Sequence, residues 1–500
     1  MGKNIHKSEF EPHEFEQYCQ SLNKNLDAFK QLLAQPGFGE GPPSFGAELE
    51  LYIIDHKNSV KPISAEIHKG MNDPGLTLEL NRFNLEYNFS PVKNCSNPFT
   101  TIKQQMADVL QRLDKFSEKK QARILPIGIL PSLEKTDLGE DAITDAPRFH
   151  LMAKTLRNKR GSDFHIHING IESLDFHWQD VSLEGANTSF QFHYRVNPDN
   201  FADAYNAAQL CTPLSVALAA NSPILLGKKL WHETRIALFK QATDYRVSTS
   251  KYKHSLDNSL PARVLFGHGW LRESIYELFA EGVYLFEPLI PICSGVDPFE
   301  QLNKGETPSL SELTMHQGSI WSWNRPIYDP NDDGHLRIEL RALPAGPTTA
   351  NMMATAALMS GLIQGLQKYL TTMLPGLPFH YAEKNFYRAA KFGLQAKLFW
   401  PNRLTGKLEE RSVIDIIYSL IGIAEQGLHE LSVDDGEIRA QMIVIKGGLE
   451  SQVNGAQWQI NMLDKLMKIE DRKSALSLLV EYYYKQYQSG LPVHEWSQKI

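Results

Sequence analysis

Residues 335–347 read His-Leu-Arg-Ile-Glu-Leu-Arg-Ala-Leu-Pro-Ala-Gly-Pro, and at their centre a carboxylate stands between two guanidiniums. Arg337, Glu339 and Arg341 alternate with Leu336, Ile338, Leu340 and Ala342, the period-2 pattern of a strand with one face in a core. The polar face suits chemistry in which a divalent cation meets phosphate oxygens, because Arg forks phosphate and Glu holds Mg²⁺. Cross-strand ion pairing on a solvated face gives the same pattern, so other strands must decide between the two.

Four further segments alternate in the same way. Phe45–Ile54 sends Ala47, Leu49, Leu51 and Ile53 to one side and Glu48 and Glu50 to the other. Same-face neighbours on a strand lie about 7 Å apart, so these carboxylates repel unless a cation stands beside them. Arg82–Phe89 shows Asn84, Glu86 and Asn88 on its polar side, and Ser189–Val196 shows Gln191, His193 and Arg195. Asp163–Ile168 offers His165 and His167, whose membership of the same site the pattern leaves open. An ordinary wet sheet face is rich in Thr, Lys and Ser. Paired in one sheet, these strands would instead form a basin of carboxylates balanced by cations. Oxygen ligands with at most one imidazole favour Mg²⁺ or Mn²⁺ over zinc. Cys19, Cys95, Cys211 and Cys293 have no ligand spacing.

The run Arg337–Arg341, followed by Pro344 and the Ala/Met-rich stretch Ala350–Met359, resembles the Arg-x-Glu-x-Arg strand and helix of glutamine synthetase. The rest resembles the second glutamate–cysteine ligase family, carboxylate–amine ligases on the same catalytic fold. Gly46-Ala-Glu-Leu-Glu50 is similar to that family's first metal strand, and Glu79 with Leu85-Glu-Tyr87 to its second. Phe190-Gln-Phe-His-Tyr194 is similar to the phosphate-facing strand, and Ala219–Pro223 with Arg235 to the helix end and loop that bind substrate. Trp321–Pro326 and Asn385–Gly393 match further signatures. Two positions depart from many relatives: Gln191 stands where they carry His, and Asn324 where they carry an acid.

The resemblance implies an α+β, glutamine synthetase-like catalytic domain, with a curved, mainly antiparallel sheet, a polar concave face and helices on the other face. It implies Glu48, Glu50, Glu86, His193 and Glu339 at the metals, and Gln191, His193, Arg337 and Arg341 at the nucleotide. Arg337, Arg341 and Arg325 would contact the transferring phosphates, and Arg235, Asn221 and Glu79 the amino-acid substrate. The activity implied is ATP- and Mg²⁺-dependent (or Mn²⁺-dependent) ligation of glutamate to an amine, most readily cysteine, through an acyl phosphate. Alternatives are another carboxylate or amine, a kinase-like transfer, and a regulatory nucleotide-binding relative. No P-loop or Gly-x-Gly-x-x-Gly fingerprint is present, so nucleotide would bind against the sheet.

Around these strands, residues 1–40 are expected to form a helix (Glu14–Leu33) and a Pro/Gly linker, 41–375 the catalytic domain, and 376–500 a helical region packed on it. Phe99–Lys120 and Ala202–Ala220 read as long helices, with Pro213 a point of kinking or division in the second. A formal charge of −7 argues against phosphate-backbone binding, and therefore against nucleic-acid partners. No apolar run reaches membrane-spanning length, and Met1–His6 lack the apolar core of a secretory leader. With unpatterned cysteines these features point to the cytoplasm, small-molecule partners, and a chain free to form homo-oligomers.

Overall fold

The computed structural model describes residues 10–93, 95–246, 261–402 and 405–500. Met1–His6 therefore lie outside the described residues. Alternation along the chain produces an antiparallel sheet of eight strands, numbered here within it: β1 Ser44–Asp55, β2 Leu76–Leu78, β3 Asn84–Asn88, β4 Val92–Lys93, β5 Ala122–Leu125, β6 Phe190–Val196, β7 Asn324–Asp329 and β8 His335–Leu340. The order is β7-β8-β6-β1-β3-β2, with β4 and β5 also pairing with β1. The sheet curls into an open half-barrel.

Register puts the polar residues in rows across strands. Gly46, His193, Glu339 and Arg325 lie opposite one another on β1, β6, β8 and β7. Asn88, Glu48 and Gln191 form the next row, and Glu86 faces Glu50. The alternate residues of β1, β3, β6 and β8 point the other way: Leu49, Leu51, Leu85, Phe192, Tyr194, Leu336, Ile338 and Leu340 are buried in one hydrophobic cluster, against which Tyr87 packs partly buried. The helices that close this cluster are Pro98–Glu118, Phe201–Ala219 and Thr349–Leu366. The last two are apolar nearly all round because each is covered on every side. Phe201–Ala219 runs unbroken through Pro213. Asn324 faces these helices, not the polar side. Its amide donates to Gln209 Oε1 at 2.8 Å and to Thr212 at 2.9 Å, a pairing in which a buried carboxylate would have nothing to donate.

The cluster reaches from Tyr18 on the N-terminal helix Pro12–Leu33 to Leu449 on Asp435–Ser451. A second cluster joins Tyr52, Phe83 and Ile127 to Trp458, Tyr483 and Trp496. Beyond residue 376 the chain is not wholly helical, since Lys397–Pro401 and Leu408–Ser412 pair as a hairpin. Apolar side chains of that hairpin alternate too briefly, beside Pro401 and Asn402, to stand out in sequence.

The fifth alternating segment does not join the main sheet. Phe164–Asn169 pairs with Ser173–Trp178 in a separate hairpin, whose Phe164, Ile166 and Ile168 are buried in the second cluster. His165 and His167 consequently stand apart from the sheet's polar basin.

Candidate active site

The polar face divides into two halves of unlike charge balance. In the first, Glu339 is fully buried and accepts both nitrogens of Arg325, one at 2.9 Å, together with Arg341 at 3.1 Å. Burial alone would raise its pKa, but Arg325 and Arg341 outweigh burial and hold the carboxyl well below the usual range. Glu48 is likewise buried, yet the His193 ring at 3.1 Å keeps it below its ordinary value. His193 Nδ1 accepts from Arg337 Nε at 3.2 Å, so its hydrogen sits on Nε2, facing Glu48. Arg337 is in turn held by Asp329 at 2.8 Å. One donor atom each from Glu48, His193 and Glu339 lies within 4.8 Å of the others.

The second half is acid-rich. Glu50 accepts the Ser189 amide at 2.6 Å and Gln191 Nε2 at 3.0 Å. Burial still raises it above its ordinary value, although Arg235 and Arg341 pull the other way. Burial, reinforced by Glu48 and Glu50, pushes Glu86 up to about 8. Glu79 rises well above its usual value through burial and then repulsion from Glu86, Glu50 and Glu184. Burial and Glu50 push Glu184 up to about 8 as well. All four remain partly exposed, so they line a cup and are not sealed in the core. Such a group of carboxylates with too little positive charge is the donor set a hard divalent cation fits. Arg341 bridges the halves, touching Gln191 and Glu339.

Next to the first half opens a cleft of about 330 Å³ lined by Gly46, Glu48, Lys93, His193, Arg195 and Arg337, among others. Arg195 on β6 also ties down the linker before β1 by donating to the Glu40 carbonyl at 3.0 Å.

Arg235 is the second residue of the helix Thr234–Ala242 and is buried. Its Nη1 pairs with Glu233 at 2.8 Å, while its Nε has no partner. That ion pair is enclosed, unlike a pair on a helix surface. The loop carrying it is held from behind: Glu233 N–H donates to the Ala390 carbonyl at 2.8 Å, at the end of helix Phe379–Phe392. Asn221 is fully buried and its amide is saturated by protein. It donates to the Ala345 carbonyl and the Tyr483 hydroxyl, both at 2.8 Å, and accepts from Gln459 at 2.9 Å. Both N–H groups are taken, the oxygen already accepts from Gln459 and the side chain is fully buried, so Asn221 is placed to hold the loop.

The structure thus brings Glu48, Glu50, Glu79, Glu86, Gln191, His193, Arg325, Arg337, Glu339 and Arg341 onto one face, with Arg235 near enough to oppose the effect of burial on Glu50. Arg325 is occupied by Glu339 and is only 4% exposed, which removes it from direct reach of a phosphate in this arrangement. Two participants escape sequence reasoning. Glu184 sits on the turn Glu184–Ala186, where no periodicity marks it, and Asp329 reads as part of a surface turn but anchors Arg337.

Residues 44–255 match the model of glutamate–cysteine ligase family 2. Glu48, Glu50, Glu86, Gln191, His193 and Arg235 fall within that range, whereas β7 and β8 fall beyond it. No curated protein matches the chain. Among solved structures, a glutamate–cysteine ligase from Francisella tularensis in complex with AMP superposes with a TM-score of 0.53 at 14% identity, over 90% of each chain. A bifunctional glutathione synthetase from Pasteurella multocida gives a TM-score of 0.45 at 11% identity, over 94% of this chain and 54% of that one. The first likeness establishes the α+β fold expected from the sequence.

Proposed function

We propose that this chain, similar over residues 44–255 to glutamate–cysteine ligase family 2, is an ATP-dependent carboxylate–amine ligase, with glutamate as the carboxylate and cysteine as the first amine to test. The observation that carries the reading is the cup of under-neutralised carboxylates beside a cleft in which Lys93, Arg195 and Arg337 stand with Glu48, Asp329 and Asp332, with a buried arginine at its border. Joining a carboxylate to an amine in water is uphill, so the carboxylate must first be made electrophilic. Phosphorylation by ATP does so, and that transfer needs charge neutralisation and in-line placement above all.

Glu50, Glu86 and Glu79, with Glu48 and Glu339 at the edge, would hold Mg²⁺ or Mn²⁺. The bound ion supplies neutralisation of the phosphate charge. Arg341, already turned into the cup, donates to the transferring phosphoryl oxygens. Arg337 lines the cleft and would donate to the remaining phosphates, and His193 Nε2–H would join it only on leaving Glu48. His193 becomes a metal ligand only when Arg337 leaves Nδ1, because its lone pair is otherwise on the wrong nitrogen. Arg235, 3% exposed, would take the substrate's α-carboxylate only by turning its unpartnered Nε to the cup and exchanging Glu233 for the substrate at Nη1. Attack of the amine on the acyl phosphate then expels phosphate and forms the amide.

The test is ADP release by the purified protein with ATP, Mg²⁺ and glutamate, with and without cysteine and then a panel of amines. Release that requires both glutamate and an amine supports the ligase. A stable phosphorylated product formed without any amine would replace it with a kinase-like reading, and nucleotide binding without turnover with a regulatory one.

A further inference from the structure

The separate hairpin carries a cluster that the ligase chemistry does not use. Its register sets His165 opposite His177 and His167 opposite Asp175, with Asn169 next on the same face. The opposite face, Phe164, Ile166 and Ile168, is buried, so the hairpin is firmly seated while this polar face looks out. His165 Nε2 lies 2.8 Å from one oxygen of Asp175, and His167 Nδ1 lies 2.9 Å from the other. The three donor atoms fall within 4.8 Å of one another.

We propose that His165, His167 and Asp175 form a two-histidine, one-carboxylate site for a borderline divalent cation, Zn²⁺ above all, distinct from the acidic cup. Imidazole nitrogen suits Zn²⁺, whereas Mg²⁺ asks for oxygen. In a tetrahedral site with bonds of about 2.0 Å, neighbouring donors stand roughly 3.3 Å apart. The two histidine–Asp175 spacings, each to its own carboxylate oxygen, are a few tenths of an ångström short of that and open as the shared hydrogens leave, while the donor atoms as a set lie within 4.8 Å of one another. Both rings are already oriented. His177 stacks on His165 with the planes 5° apart and the centroids 4.6 Å apart. Asn169 lies 2.7 Å from His167 Nε2, and a turn of its amide makes it the acceptor that a ligand histidine's second nitrogen requires. Three protein ligands leave a fourth position for water.

The hairpin is fastened to the segment bearing Arg235. His167 N–H donates to Gln241 at 2.6 Å, Gln241 donates back to the His167 carbonyl at 3.1 Å, and Trp231 donates to the Asn169 carbonyl at 3.0 Å. A bound cation therefore clips the hairpin and stiffens the outer support of the Arg235 helix.

The experiment titrates the full-length chain, free of affinity tags and stripped of metal, with Zn²⁺ alone against a chelating indicator, and with Co²⁺ while recording visible absorption. Wild type should take up one Zn²⁺ at about micromolar affinity or tighter, unaffected by excess Mg²⁺, and melt at higher temperature with Zn²⁺. His167→Ala, Asp175→Asn and His165→Ala should each weaken uptake at least about tenfold and erase the Co²⁺ bands. The ligands are half exposed, so the variants should keep the wild-type circular dichroism. If the variants bind Zn²⁺ as wild type does, if Glu48→Gln instead abolishes uptake, or if wild type takes up none, the site does not exist.

Discussion

Asn221→Ala should be costly out of proportion to the few atoms it removes. The side chain is fully buried and joins three distant parts of the chain: Ala345 after β8, Tyr483, and Gln459. Truncation orphans the Ala345 carbonyl, at about 1–3 kcal/mol for a buried acceptor. It also weakens Gln459, which retains only the Asn221 carbonyl at 3.2 Å, at roughly 1 kcal/mol more. Tyr483 loses less, because its hydroxyl still donates to Pro126 at 3.0 Å. The sum is about 2–4 kcal/mol, a large share of a typical folding free energy of roughly 5–15 kcal/mol. Asn221→Asp should be worse than Ala, since it aims an oxygen at the Ala345 carbonyl and buries a charge near Glu233. Urea denaturation followed by circular dichroism measures both. A cost below about 1 kcal/mol for Ala, or a milder effect for Asp, would refute the positioning role.

Three further outcomes follow from the site. Arg235→Lys keeps a charge beside Glu233 but loses the fork, so KM for the carboxylate substrate should rise about ten- to hundredfold, or roughly 1.5–3 kcal/mol, with kcat less changed; steady-state ADP release checks this. Glu86 and Glu184 are raised to about 8 in the folded chain against 4.5 for an ordinary glutamate, so without metal their contribution to stability is present below about 4.5 and is lost as pH rises through 8. Because Mg²⁺ requires the ionised forms, the rise in Tm it produces should be larger at about pH 8.5 than at about pH 6, and a pH-independent rise would contradict the assignment. Asn324→Asp, which installs the acid many relatives carry, should destabilise by about 2–4 kcal/mol, since Gln209 Oε1 then meets no donor.

The main strands were legible because period-2 alternation survives wherever one sheet face is buried, as along Ala47–Ile53 and Leu336–Leu340. The same alternation named Glu48, Glu50, Glu86 and Glu339 without any coordinates. It could not say which strands pair, and so it gave no reason to separate Phe164–Asn169 from the sheet. It was equally silent on Glu184, which enters the cup from an irregular turn. Asn221 looked like a ligand because the partners that saturate it, Gln459 and Tyr483, lie more than 200 residues further along the chain.

The most direct test is an anomalous difference map from crystals soaked in Mn²⁺. Density between Glu50 and Glu86, about 2.1 Å from carboxylate oxygens, with further oxygens from Glu79, Glu48 or Glu339, is the predicted result. Mn²⁺ found only elsewhere, with the carboxylates of the cup left bare, would contradict the account.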